Sequence, residues 1–122
     1  MSYEQALEAA GVEVIEYVEF GSYQGDWLCL IRDNGVLCVA EGCYGSCSYC
    51  DAFESEFGYS YDSEDGNKEE YEARLADFGR GYLPGWTLDE MIAKLERTIE
   101  EYSWGDHEGM LEKVKAWKEV YS

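Results

Sequence analysis

Cys43, Cys47 and Cys50 stand within the stretch GCYGSCSYCDAFE, residues 42–54, as Cys-x3-Cys-x2-Cys. Thiolates at this spacing can converge on one metal centre, because the loop glycines let the backbone curl round the ligands. Zinc would need a fourth ligand from Cys29, Cys38 or the single histidine, His107. The spacing is not the paired Cys-x2-Cys form that makes zinc motifs specific. Cys29 and Cys38 also lie within apolar runs, where a free thiol behaves as a small hydrophobe. The expectation is that all five cysteines are buried or turn thiols, with no metal and no cofactor. A small zinc- or iron–sulfur-binding module using Cys43, Cys47 and Cys50 is the alternative.

With Tyr49 just before the third cysteine, the same residues resemble the cluster signature of radical SAM enzymes. That resemblance implies a partial α/β barrel around S-adenosylmethionine. A chain of 122 residues with a hairpin directly before the cysteines leaves no room for one.

Other chemistry is thinly represented. A Cys–His nucleophile would have to use His107, which reads as part of a first helical turn. Placing Tyr61 first in an EF-hand loop sets Ser63, Asp65, Gly66 and Glu72 at suitable positions, but position 1 needs an oxygen-rich Asp. Carboxylates such as Glu54 with Glu56, or Asp62, Glu64 and Asp65, fall in an acidic stretch where such groups stay solvated with ordinary pKa values. No Walker loop, Rossmann fingerprint or nucleophile elbow occurs. The chain is expected not to be an enzyme.

Charge is the stronger signal. Asp and Glu number 27 against 9 Lys and Arg, a formal net charge of −18. Residues 1–67 hold 14 acids and one base, Arg32, whereas residues 68–122 hold 13 acids and 8 bases. Self-repulsion on this scale costs stability, and the field disfavours nucleic acid and anionic membranes while favouring a basic protein surface. With 46% hydrophobic and 16% aromatic residues the chain is expected to fold as a single domain, residues 1–122. No 18-residue apolar run and no signal-peptide pattern occur, and the odd cysteine count suits a reducing compartment, so a cytoplasmic location is expected.

Between Glu41 and Asp77 lie 11 acids and two bases, interleaved with Tyr44, Tyr49, Phe53, Phe57, Tyr59, Tyr61 and Tyr71. Carboxylates spaced like phosphates, with rings between them, can occupy a basic cleft built for nucleic acid, and aromatic residues make good interface anchors. Glu54, Glu56, Asp62, Glu64, Asp65, Glu69 and Glu70 form the expected contact set. The stretches GSYQGDW and YGSCSYCDAFESEFG, within residues 21–58, resemble small acidic proteins encoded by bacteriophages and mobile elements. That resemblance implies an anti-defence or anti-CRISPR type of inhibitor acting in the host cytoplasm. The expected partner is the basic surface of a host nucleic-acid-handling protein, blocked by nucleic-acid mimicry.

The elements that must carry these residues follow from pattern. SYEQALEAAG predicts a short helix capped by Ser2, with Ala6, Leu7 and Ala10 on one side and Gly11 ending it. Val12 to Phe20 mixes a three-residue spacing of glutamates, as on a helix, with β-branched and aromatic residues, and is read as a strand. Asn34-Gly35 between two apolar runs predicts a hairpin with a type I′ turn. Counting outward from that turn puts Trp27, Cys29, Ile31, Cys38 and Ala40 on one face and Leu28, Leu30, Leu37 and Val39 on the other. Both faces are apolar, so the hairpin is expected inside the sheet.

Residues 59–67 are expected to be an exposed loop. A helix follows from Asn67, with an Asn67/Glu70 capping box and Tyr71, Leu75 and Phe78 on one side, broken by Gly79, Gly81, Pro84 and Gly85. Thr87 with Glu90 predicts a second capping box opening a helix whose apolar side carries Leu88, Met91, Ile92, Leu95, Ile99 and Tyr102. Asp106 is expected to cap the last helix, with Met110, Leu111, Val114, Trp117 and Tyr121 inward and Glu112, Lys113, Lys115 and Lys118 outward. The fold expected is α+β, a small antiparallel sheet of about three strands packed by two to three C-terminal helices. Because the helices hold most bases, the sheet and acidic loop are expected to carry most of the negative field.

Overall fold

The computed structural model describes residues 3–21, 25–44, 68–101 and 106–121. In chain order these form α1 (Tyr3–Ala9), β1 (Glu13–Gly21), β2 (Gly25–Asp33), β3 (Val36–Tyr44), α2 (Lys68–Arg80), α3 (Leu88–Glu101) and α4 (His107–Tyr121). The three strands make one antiparallel sheet in the order β1-β2-β3. This is the expected α+β fold, with three helices after the sheet. Ser2, the loop at 59–67, Asn67 and Tyr102, each given a role from the sequence, lie outside the described residues.

The β2–β3 hairpin closes as its turn chemistry requires. Asp33 faces Val36, and the two turn residues adopt left-handed backbone, φ 52° at Asn34 and 82° at Gly35. Ile31 then lies opposite Cys38, and Cys29 opposite Ala40. The two apolar faces are those counted from the turn, and each has its own cover. Trp27, Cys29, Ile31, Cys38 and Ala40 pack with Tyr3, Ala6 and Leu7 of α1 and Leu75 of α2. Leu28, Leu30 and Val39 pack with Leu88, Met91 and Leu95 of α3 and Met110, Val114 and Trp117 of α4. The molecule therefore has three layers, a helix pair on each side of the sheet. Each fully buried Leu, Ile or Met on these faces contributes roughly 1.5–3 kcal/mol.

Only half of the hairpin is interior. β2 is the central strand, while β3 is an edge, bridged on its outer side by Trp86, whose backbone exchanges two hydrogen bonds with Val39 at 2.7 and 2.8 Å. Gly85 makes this approach possible, since a Cβ there would lie 2.8 Å from the Val39 carbonyl oxygen.

β1 resolves the ambiguity of its sequence. Its register slips between Val14 and Glu16, a β-bulge that leaves Ile15 unpaired. Val14 and Tyr17 pack toward α1, whereas Ile15, Val18 and Phe20 pack toward α3 and α4. The extra residue turns Glu16 to the α4 side as well, so glutamates three apart occur on a strand.

Two sequence expectations are corrected. Gly79 does not break α2, which continues to Arg80. A Cβ at Gly79 would run into the Ala6 carbonyl oxygen, so this glycine lets α1 and α2 approach closely. Tyr121 does not face inward but is 43% exposed in the last turn of α4, beyond the reach of the core. The two helix starts expected at Thr87 and Asp106 are present. Thr87 N–H donates to Glu90 Oε1 at 2.9 Å while Glu90 N–H donates to Thr87 Oγ1 at 3.1 Å, and Gly109 N–H donates to Asp106 Oδ1 at 3.2 Å.

Candidate partner-binding surface

Of the expected contact set, Glu69 and Glu70 are placed: both are exposed in the first turn of α2, where carboxylates are favoured by the positive end of the helix dipole. Glu54, Glu56, Asp62, Glu64 and Asp65 lie outside the described residues. The exposed acids continue along the other helices, through Glu96, Glu100 and Glu101 of α3 and Glu108, Glu112 and Glu119 of α4.

Five of the bases, by contrast, are tied to the chain's own acids. Arg32 pairs with Glu13 across β2 and β1, Lys94 of α3 with Glu41 of β3, Lys113 of α4 with Glu16 of β1, Lys118 of α4 with Asp89 of α3, and Arg80 with Asp77 within α2. Four of the five pairs join different elements. Lys113, expected to face outward, is half-buried over the Trp117 ring. Of the sheet and acidic loop expected to carry most of the negative field, the loop lies outside the described residues. Glu13, Glu16 and Glu41 on the strands each pair with a base, and among the described residues further carboxylates stand on the exposed sides of the helices.

Glu16 is the most elaborated of these acids. Its carboxylate accepts from Lys113 Nζ at 2.6 Å and from the Trp117 indole N–H at 2.9 Å. The Lys113 hydrogen bond first, then that of Trp117, hold its pKa below the usual value against the opposing effect of burial.

Cys43 is exposed near the end of β3, directly opposite Asp26, and its thiol donates to Asp26 Oδ1 at 3.6 Å. Partial burial, then the neighbouring Asp26 charge, push the thiol up and hold it protonated. Cys29 and Cys38 are buried on the other face of the sheet, with the α1 and α2 side chains. Strand alternation therefore separates them from Cys43, and neither is placed to complete a metal site with it. Burial, with help from Glu4 and Glu8, pushes the Cys29 thiol up to about 12. Cys47 and Cys50 lie outside the described residues, and His107 is the first residue of α4. Among the described residues, no group of three or more His, Cys, Asp or Glu side chains is placed to hold a metal ion.

Two features escaped the sequence. Tyr3, Tyr17, Trp27, Phe78 and Tyr82 form a continuous aromatic cluster, with Trp27 5.0 Å from Tyr3 and 5.1 Å from Tyr82 between ring centroids. Its members come from four separate segments, so no local pattern marks it. The other is the Trp86 bridge, which the Pro-Gly-Trp sequence conceals by reading only as a break. No family model, no curated protein and no solved structure matches the chain.

Proposed function

We propose that the chain is a non-enzymatic binding protein that occupies the basic surface of a nucleic-acid-handling protein and blocks it, as a phage-type inhibitor would. The observation that carries this reading is how the charge is used. Among the described residues, five bases are held in ion pairs with the chain's own acids, in a chain of 27 acids and 9 bases. Those five bases act as internal ties, and the formal net charge of −18 is far beyond the need for solubility. Glu54, Glu56, Asp62, Glu64, Asp65, Glu69 and Glu70 make up the proposed contact set. The thiols of Cys29, Cys38 and Cys43, all pushed upward, are poor nucleophiles, which favours binding over covalent catalysis.

The experiment immobilises the chain, captures proteins from a host lysate, and elutes with DNA or RNA against salt of equal ionic strength. Release by nucleic acid at lower ionic strength than salt alone requires is expected, with capture lost in the Glu69→Lys/Glu70→Lys and Glu64→Lys/Asp65→Lys variants. A captured protein that keeps its nucleic acid while bound would replace inhibition with an assembly role. The alternative of a metal module through Cys43, Cys47 and Cys50 predicts about one zinc or one cluster per chain by elemental analysis of protein purified without added metal.

A further inference from the structure

Beside the Trp86 bridge a depression of about 320 Å³ is lined by Trp86, Lys94, Arg97, Thr98 and Glu101. Trp86 is fixed by its two backbone hydrogen bonds to Val39, yet its side chain is 39% exposed, one of the few large apolar groups in contact with solvent among the described residues. Lys94 is committed, pairing with Glu41 and lying 4.6 Å over the Trp86 ring. The Thr98 hydroxyl is likewise committed, donating to the Lys94 carbonyl at 2.9 Å. Arg97 and Glu101 are different. Both are exposed on α3 at a spacing of four residues, and neither has an ion pair among the described residues. A chain with three acids for every base thus leaves a guanidinium open beside a carboxylate and an indole.

We propose that this depression binds a free apolar α-amino acid. The guanidinium of Arg97 takes the α-carboxylate, for which its planar fork is suited, the Glu101 carboxylate takes the α-ammonium, and the indole of Trp86 with the stem of Lys94 covers the side chain. The groups required are those of a zwitterion with an apolar body: one cation, one anion and a carbon surface. The volume accommodates the larger amino acids. Because the site is open to water, binding is weak, in the range of about 0.1–10 mM on the ordinary scale of affinity. The proposal does not rest on the reading of the acidic contact set.

The test is titration of the 15N-labelled chain with L-phenylalanine at 150 mM salt, following the Trp86 indole N–H resonance, assigned by Trp86→Phe. A saturable shift is expected, and phenylacetate and phenethylamine, each lacking one of the two charges, should bind at least about tenfold more weakly, as should Arg97→Gln and Glu101→Gln. Both replaced side chains are exposed, so the variants should unfold at the wild-type temperature. Equal shifts from phenethylamine and L-phenylalanine would mean that the acidic surface merely collects cations. Unchanged affinity in either variant, or no saturable shift at all, would overturn the assignment.

Discussion

At the scale of single residues, the interior is set by what each position lacks. Gly42 stands opposite Trp27, and the indole fills the space a side chain would take: a Cβ on Gly42 would come within 2.6 Å of Trp27 Cε2, Cζ2 and Nε1. Trp27 is fully buried among other rings and has nowhere to retreat; its own N–H is buried without an acceptor. Gly42→Ala is expected to destabilise the fold by about 1–3 kcal/mol through overpacking, despite the lower flexibility of the unfolded chain that alanine brings, as read by urea unfolding. The thiols divide by the same logic of burial. Cys29, fully buried and pushed up to about 12, should resist iodoacetamide at pH 8 in the native protein and react only on unfolding, as mapped by peptide mass spectrometry. Rapid native labelling of Cys29 would contradict the packing described for β2.

At the scale of elements, the legible parts were those whose signal is local. Asn34-Gly35 fixes the hairpin register because only left-handed backbone closes a two-residue turn with the strand twist, and the faces of β2 and β3 follow by counting. Thr87 with Glu90 marks the start of α3 for the same reason, both partners lying three residues apart. Long-range choices were not legible. Nothing near Gly79 shows that Ala6 will press against it, and nothing near Glu16 shows that Lys113 and Trp117 will meet it from the far end of the chain. Of the acidic contact set, the sequence could state composition, and only Glu69 and Glu70 acquire a place on a described element. Both long-range contacts are testable. Gly79→Ala should gain about 1 kcal/mol from helix propensity, yet its Cβ collides with backbone, so a net loss is expected as α1 lifts from α2. Glu16 ties β1 to α4 through its charge, and its folded pKa lies below its unfolded value near 4.3. Its contribution is therefore present above that unfolded value and is lost as pH falls through the depressed folded pKa. Glu16→Gln should be less stable than wild type at pH 7, and the difference should shrink as pH falls below the unfolded value, measured by the midpoint of urea unfolding.

At the scale of the whole molecule, two electrostatic effects of salt oppose each other. Screening weakens the ties that hold helices to strands, such as Lys94 to Glu41 and Lys113 to Glu16, and this lowers stability. It also relieves repulsion among the acids of a chain whose formal net charge is −18. Lys94–Glu41 and Lys113–Glu16 are only about one-third exposed, so salt acts on them weakly, whereas carboxylates such as Glu96, Glu100 and Glu112 stand exposed on the helices, where salt screens their repulsion beyond a Debye length of about 10 Å at 0.1 M. Exposed pairs contribute only about 0–1 kcal/mol each in any case. Repulsion is therefore the larger quantity, and the thermal unfolding midpoint should rise between 10 mM and 500 mM sodium chloride. Replacing exposed Glu96, Glu100 and Glu112 by glutamine should raise the midpoint at 10 mM salt and flatten its rise with salt, since those acids carry part of the repulsion and none pairs with a described base. A midpoint that falls with salt would mean that the internal ties outweigh the surplus, and the charge would then serve the fold rather than a partner.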